Sequence, residues 1–282
     1  MNSKLDSIVQ EFSIIISVYK NDKPEHVCIA LDSILVSQTV KPMEVVLVQD
    51  GPVSEELSTL LTKYEEEYAD VIHIIRLEKN GGLGNALRLG VNNAKYDIIA
   101  RMDSDDICLP NRFEKQLCYM EQHPEVSILG GQIDEFIDTV DNVVGKRIVP
   151  CEDKDIKDYL KSRCPFNHMT VMFRKGAVLK VGNYLDWFWN EDYYLWIRMA
   201  LGACIMANLY DTLVQVRVGK EMYQRRGGWK YFKSEARLQK YMWNHHLISL
   251  PKYLYNIVIR FAVQVAMPNR LRGWVFKRFA RK

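Results

Sequence analysis

A chain of 282 residues with 48% hydrophobic and 26% charged side chains can bury a full core, which excludes a disordered protein and leaves room for one large α/β domain or one domain with an appendage. The formal charge of +3 hides an asymmetry: residues 251–282 carry eight Lys or Arg and no acid, leaving the first 250 residues at −5. The tail is therefore a separate electrostatic object that seeks an anionic partner, and no nucleic-acid partner is expected.

Six cysteines, at 28, 108, 118, 151, 164 and 204, form no Cys-x-x-Cys pair, and residues 1–11 lack an apolar signal-peptide core. The best bilayer-crossing candidate, residues 253–267, is short and broken by Arg260. Reduced thiols and a cytoplasmic chain lying on the inner face of the cell membrane, not spanning it, are the expectation.

Strand and helix signals alternate through the first half. A β-branched run over residues 12–19 leads to Pro24, a good first helical residue for a segment through Leu35. A second strand over residues 44–48 stops at Gln49-Asp50-Gly51-Pro52 and is followed by an acidic helix over residues 54–68. The third, residues 71–77, runs into Asn80-Gly81-Gly82-Leu83-Gly84 and a helix to Ala94, and the fourth, residues 98–102, ends on Asp103-Ser104-Asp105-Asp106. Repeated β-α-β-α with apolar strands implies a Rossmann-like parallel sheet sandwiched by helices, whose ligands sit beyond the carboxyl ends of the strands. Four loops, 19–22, 49–51, 80–84 and 103–106, thereby gather into one cleft.

Three carboxylates in four residues repel one another. A helix N-terminus uses one acid, and Pro110 makes such a start plausible here; a divalent cation, Mn²⁺ or Mg²⁺, relieves all three and completes its shell with phosphate oxygens. The glycine run lacks the Gly-Lys-Ser/Thr of a P-loop and does not match the Gly-x-Gly-x-x-Gly dinucleotide fingerprint.

Further on, residues 132–147 read as an edge hairpin around Asp141-Asn142, and residues 152–161 as a surface helix. Cys164-Pro165-Phe166-Asn167-His168 is a polar cluster leading into a strand, with His168 open to a structural or a site role. Asn190-Glu191-Asp192 opens an amphipathic helix with Leu195, Trp196, Met199 and Ala200 as its inner stripe. Around it stand Tyr184, Trp187, Phe188, Trp189, Tyr193 and Tyr194, walls that raise a carboxylate's pKa and on which a sugar stacks. A last strand over residues 213–218 precedes Gln224-Arg225-Arg226-Gly227-Gly228, a basic loop either solvated or gripping phosphate. Helical periods then run over residues 229–245, 254–266 and 271–279, with Tyr253, Ile257, Phe261, Trp274, Phe276 and Phe279 among cations. That composition suits a helix lying on an anionic membrane.

With Ile16-Ser17-Val18-Tyr19, Val48-Gln49-Asp50-Gly51, the segment from Asn80 to Leu87, Arg101-Met102-Asp103-Ser104-Asp105-Asp106 and Asn190-Glu191-Asp192 in this order, the chain resembles the inverting family-two glycosyltransferases of the GT-A fold, of the bacterial polysaccharide and O-antigen type. The resemblance covers residues 12–226 and departs at Leu87-Arg88, where many members carry Arg-Asn. It implies donor contacts from Val18, Tyr19, Asp50 at the base, Gly82 and Asp103 at the ribose, to which the arginine chemistry of the basic loop adds Arg225 and Arg226. It further implies Asp105 with Asp103 at the cation, Asp192 as base with Glu191 orienting it, and His168 and Trp189 facing the acceptor. The expected reaction moves a sugar from a nucleotide-diphosphate sugar, a UDP-sugar foremost, to a hydroxyl of a lipid-linked or polysaccharide acceptor. A catalytic domain over residues 1–226 and a helical membrane-associating segment over 227–282 are expected. Two alternatives remain open, a nucleotidyltransferase of related fold and a non-catalytic partner that only binds a sugar nucleotide.

Overall fold

The computed structural model describes residues 11–219 and 227–267. Strands β1 (Phe12–Val18), β2 (Glu44–Gln49), β3 (Ile72–Arg76) and β4 (Ile98–Met102) form the expected parallel sheet in the order β3-β2-β1-β4. Both faces are covered. Ile14 and Ile16 of β1 pack among residues of α1 (Pro24–Leu35) and α2 (Glu55–Glu67), while Ile15 between them packs with α3 (Leu83–Asn93). This alternation is the period of two that places successive side chains on opposite faces, so a parallel strand sandwiched by helices must be apolar throughout. Pro24 begins α1, and the Ser54 hydroxyl accepts the Leu57 N–H at 3.2 Å to cap α2.

Beyond β4 the sheet becomes mixed. The two-residue β5 (Ile107–Cys108) precedes α4 (Arg112–Gln122), and β6 (Val126–Phe136) forms the anticipated hairpin with β7 (Val143–Arg147). Helix α5 (Asp153–Leu160) is followed by β8 (Met172–Arg174), which pairs antiparallel with β4, then α6 (Lys175–Lys180) and α7 (Glu191–Leu201). The last strand, β9 (Ile205–Arg217), begins eight residues before the sequence signal at 213 and runs parallel to β6 through three register shifts. Its far end pairs with β5, bringing Arg217 beside the aspartate loop.

Helices α8 (Trp229–Asn244) and α9 (Leu250–Phe261) close the described chain, with a π turn over Ala262–Ala266. They fall within the segment expected to stand apart, yet Leu238, Met242 and Ile248 lie in the same core as Trp196 and Ile197 of α7. Asn256 donates to the Lys161 carbonyl at 2.9 Å, and the Arg260 guanidinium donates to the Ser162 carbonyl at 2.7 Å and pairs with Glu235 at 2.6 Å. Residues 229–261 are therefore seated on the α/β body. No described helix is long and apolar enough to cross a membrane.

Candidate active site

A buried cation sits under the acidic loop. Arg101, in an otherwise apolar strand and only 2% exposed, forks onto both carboxylate oxygens of Asp103, its Nη1 at 2.7 Å from Oδ2. Burial opposes its charge and Asp103 restores it, so its pKa ends above the usual value. Arg112, also buried, donates to the Arg101 carbonyl at 2.8 Å and fixes the strand end from below. Asp106 turns inward: its Oδ1 accepts the Arg217 backbone N–H at 2.9 Å, and burial pushes its carboxyl well above the ordinary range. Among the three aspartates, Asp106 is thus a tie between loop and β9, Asp103 is held by Arg101, and Asp105 reaches solvent.

Asp22 joins them from the first loop. Its Oδ2 accepts the Tyr19 N–H at 2.9 Å and the Ser104 hydroxyl at 3.0 Å, tying the end of β1 to the end of β4. Its carboxyl is pushed up to about 6, chiefly by burial, with Asp103 adding repulsion. Asp105 is likewise pushed up to about 6, by the enclosing cleft walls first and then by the negative charges of Asp103 and Asp22. Like charges that crowd one another are short of a cation.

On the other side of the cleft, the Val18 carbonyl accepts the Asp50 N–H at 2.8 Å. The buried Asp50 carboxylate accepts the N–H groups of Gly81 at 2.6 Å and Gly82 at 3.0 Å. Asp50, expected at the nucleotide base, thereby shapes the glycine loop. Gly51 is obligatory there: at φ +87° an added Cβ would lie 2.6 Å from the Asn80 nitrogen. Gly82, at φ +85°, starts α3, and Arg88 on that helix donates to Asn85 at 2.7 Å.

The start of α7 faces this loop. Gly84 of α3 approaches so closely that a Cβ would lie 3.3 Å from that of Glu191. Glu191 is pushed up to about 7, first by burial and then by Asp192, with Asp103 contributing. Asp192 is raised by burial too, but the Tyr193 N–H at 2.6 Å on Oδ1, and then the charges of Arg101 and Arg147, hold it back. The Cys164 thiol lies 3.6 Å from its Oδ2, and burial followed by that carboxylate pushes the thiol far up, so it stays protonated. Glu191 is therefore the partner that retains a proton towards neutrality, and Asp192 the one left ionised.

His168 shares a hydrogen bond of 2.9 Å between its Nε2 and the Tyr184 hydroxyl and meets the Trp196 ring edge-on at 5.9 Å. Burial, then Arg101, holds its pKa well below the usual value, so it is a neutral ring. Trp189 stands half exposed at φ +56°, a strained conformation for a bulky residue, stacked on Phe188 at 5.0 Å. Arg225 and Arg226 lie outside the described residues. Local sequence pattern gives Arg101 and Arg217 no role and places Asp22 only as the last residue of the first cleft loop. A lone arginine inside a buried strand is the signal that was available, because such a charge demands a partner.

A parallel sheet turning mixed at β4, with an acidic loop at its rim and a carboxylate pair on a facing helix, defines a transferase of the GT-A fold. The family model for glycosyl transferase family 2 matches residues 13–180, and the chain belongs to that family. It is 46% identical over 230 residues to an amylovoran biosynthesis glycosyltransferase of Erwinia amylovora, covering 81% of this chain and 84% of the other. It is 37% identical over 273 residues to an Escherichia coli UDP-Gal:alpha-D-GlcNAc-diphosphoundecaprenol beta-1,3-galactosyltransferase, covering 96% and 97%. Among solved structures, S. aureus TarS 1–349 in complex with UDP-GlcNAc superposes with a TM-score of 0.67 at 17% identity, over 89% of this chain and 72% of that one. The expectations of a GT-A α/β fold and of a glycosyltransferase of bacterial polysaccharide biosynthesis type agree with these likenesses.

Proposed function

We propose that this chain is a metal-dependent inverting glycosyltransferase that moves a sugar from a UDP-sugar to a hydroxyl of a lipid-linked glycan at the cytoplasmic face of a membrane. The observation that carries the reading is the pairing of two carboxylate clusters of different character on one buried arginine. The aspartate loop is short of positive charge and open to solvent, while the Glu191–Asp192 pair is enclosed and tuned to handle a proton.

Among the described residues no three His, Cys, Asp or Glu side chains enclose an ion by themselves. Asp105, helped by Asp103, fits a Mn²⁺ or Mg²⁺ that draws its remaining ligands from the donor's diphosphate. Such an ion, when bound, neutralises charge on the leaving diphosphate. Asp192 accepts the proton of the acceptor hydroxyl as its oxygen bonds to the anomeric carbon. The bond from that carbon to the diphosphate oxygen breaks on the opposite face, its electron pair leaving with the diphosphate, and the configuration inverts. Glu191 orients Asp192, Tyr19 and the Asp50-shaped glycine loop border the nucleotide, and Trp189 offers its flat face to the acceptor sugar. Val18 sets the cleft wall through its carbonyl. Arg225 and Arg226 are assigned to the diphosphate by their chemistry alone.

The name of the Escherichia coli relative suggests the first donor and acceptor to try, UDP-galactose and a GlcNAc-diphosphoundecaprenol. Purified protein, Mn²⁺ and a panel of nucleotide sugars should release nucleoside diphosphate and a product of inverted anomeric configuration by NMR. Product with retained configuration, or transfer undiminished in excess chelator, would sink the corresponding part of this mechanism.

A further inference from the structure

Helix α9 turns polar residues inward and much of its apolar surface outward. Asn256 and Arg260 face the body, 3% and 9% exposed, whereas Leu254, Tyr255 and Val258 are 53%, 61% and 64% exposed. Leu250, Ile259 and Phe261 extend this outward apolar face. An amphipathic helix on a soluble domain ordinarily turns its apolar stripe inward, and here the hydrogen bonds and the Glu235 ion pair fix the opposite orientation.

We propose that the outward face of α9 docks on an anionic lipid bilayer. Charge selects the occupant. Residues 229–267 hold six cations and one acid, Glu235, which is paired with the inward Arg260. Lys230, Lys233, Arg237 and Lys240 are exposed on α8, and Lys252 is half-buried on α9 beside Tyr255. Six further cations and no acid follow between 268 and 282. A second copy of the chain seated face to face would oppose these cationic flanks, a repulsive arrangement, while anionic headgroups match them and acyl chains take Leu254 and Val258.

The face also connects to the active site. Phe261 meets Trp229 at 6.4 Å and Phe232 at 5.6 Å at the start of α8, and the ring of Tyr231 lies 6.3 Å from Trp189. Docking through α9 thus brings the Trp189 side of the cleft towards the bilayer. For its purpose this proposal rests on the reading of a lipid-linked acceptor; its test does not.

The test uses the full-length chain without donor or acceptor, sedimented with vesicles of phosphatidylcholine mixed with phosphatidylglycerol and with phosphatidylcholine alone. Wild type should bind the mixed vesicles and release as salt rises. Leu254→Glu combined with Val258→Glu should bind roughly tenfold more weakly or less, with its thermal unfolding unchanged because both positions are exposed. Lys230→Gln with Lys233→Gln and Lys240→Gln should weaken binding to the mixed vesicles and flatten its salt dependence. Wild type that ignores the mixed vesicles, or a glutamate variant that binds them as tightly, overturns the proposal. So does a wild type that is dimeric in the ultracentrifuge and a glutamate variant that is monomeric, since the occupant is then a second copy. Failure of every donor in the transfer assay leaves these outcomes unaffected, so the two readings fail separately.

Discussion

The two acidic regions of this molecule are both built from carboxylates and are held in opposite ways. At the end of β4, Asp105 is open to the cleft, faces Asp103 and Asp22, and has no side-chain donor among the described residues to quiet it. At the start of α7, Asp192 has a backbone N–H on one oxygen and a thiol near the other, and shares its enclosure with a carboxyl pushed up to about 7. Crowded and exposed, the first cluster is the one we assign to a cation. Enclosed and hydrogen-bonded, the second is the one we assign to a proton. Arg101 lies between them and acts electrostatically on both.

The widest separation of the two should come from Asp105→Ala. Losing the carboxylate assigned to the ion removes stabilisation of the leaving diphosphate, worth several kcal/mol, so transfer should fall by about 10³-fold or more. Chelation of wild type should reproduce the loss and added Mn²⁺ should restore it, as read by nucleoside diphosphate release. A variant rescued by no metal, beside a wild type indifferent to chelator, would assign Asp105 a merely structural place.

Asp192→Asn probes the other cluster. The amide keeps the shape but accepts no proton, so turnover should fall by roughly 10²–10⁴ while donor binding, followed by calorimetry, stays near wild type. Near-normal turnover would move the base to Glu191.

How much of this contrast is legible in the sequence depends on what each feature needs. The parallel strands β1 to β4 and their helices follow from apolar runs bounded by turns, and the acids at 103, 105, 191 and 192 stand out as clusters. Partnership does not. That Asp22 would take Ser104 depends on β1 and β4 lying side by side, and that Asp106 would turn to the Arg217 backbone 111 residues away depends on a mixed half-sheet. Its long strands, β6 and β9, pair through register shifts that no local period announces. Residues 229–245 show a similar limit: a helix is evident, its burial against α7 is not. For α9 the periodicity gives a stripe without saying which side packs, and Asn256 and Arg260 decide it through partners at Lys161, Ser162 and Glu235.

Glu191→Gln sharpens the proton-handling half with a smaller change in rate. A carboxyl that carries a proton up to about 7 is uncharged while Asp192 titrates, and the amide that replaces it is uncharged too. The acidic limb of the pH profile of kcat/KM should therefore stay in place, with the plateau reduced by roughly tenfold for lost orientation. A limb that moves to lower pH would show that Glu191 is the one charged first and that the proton is held by Asp192.

The smallest effect is one of stability, and it tests the cation-seeking half without any substrate. The Asp105 carboxyl, ordinarily at 3.8, is pushed up to about 6 in the folded chain, so between those values the folded state holds a proton that the unfolded state has released. Stability from this group is present below about 4 and is lost as pH rises through 6. Asp105→Asn carries no charge at any pH. With chelator present it should melt above wild type at pH 8, by about 2–4 °C once solvent screening in the open cleft is allowed for. At pH 5 that advantage should shrink. Adding Mn²⁺ at pH 8 should reverse the order, because the ion stabilises only the chain that keeps its ligand. A variant that melts below wild type in chelator at pH 8 would mean that Asp105 is held by the fold's own donors, and the two acidic regions would then be alike.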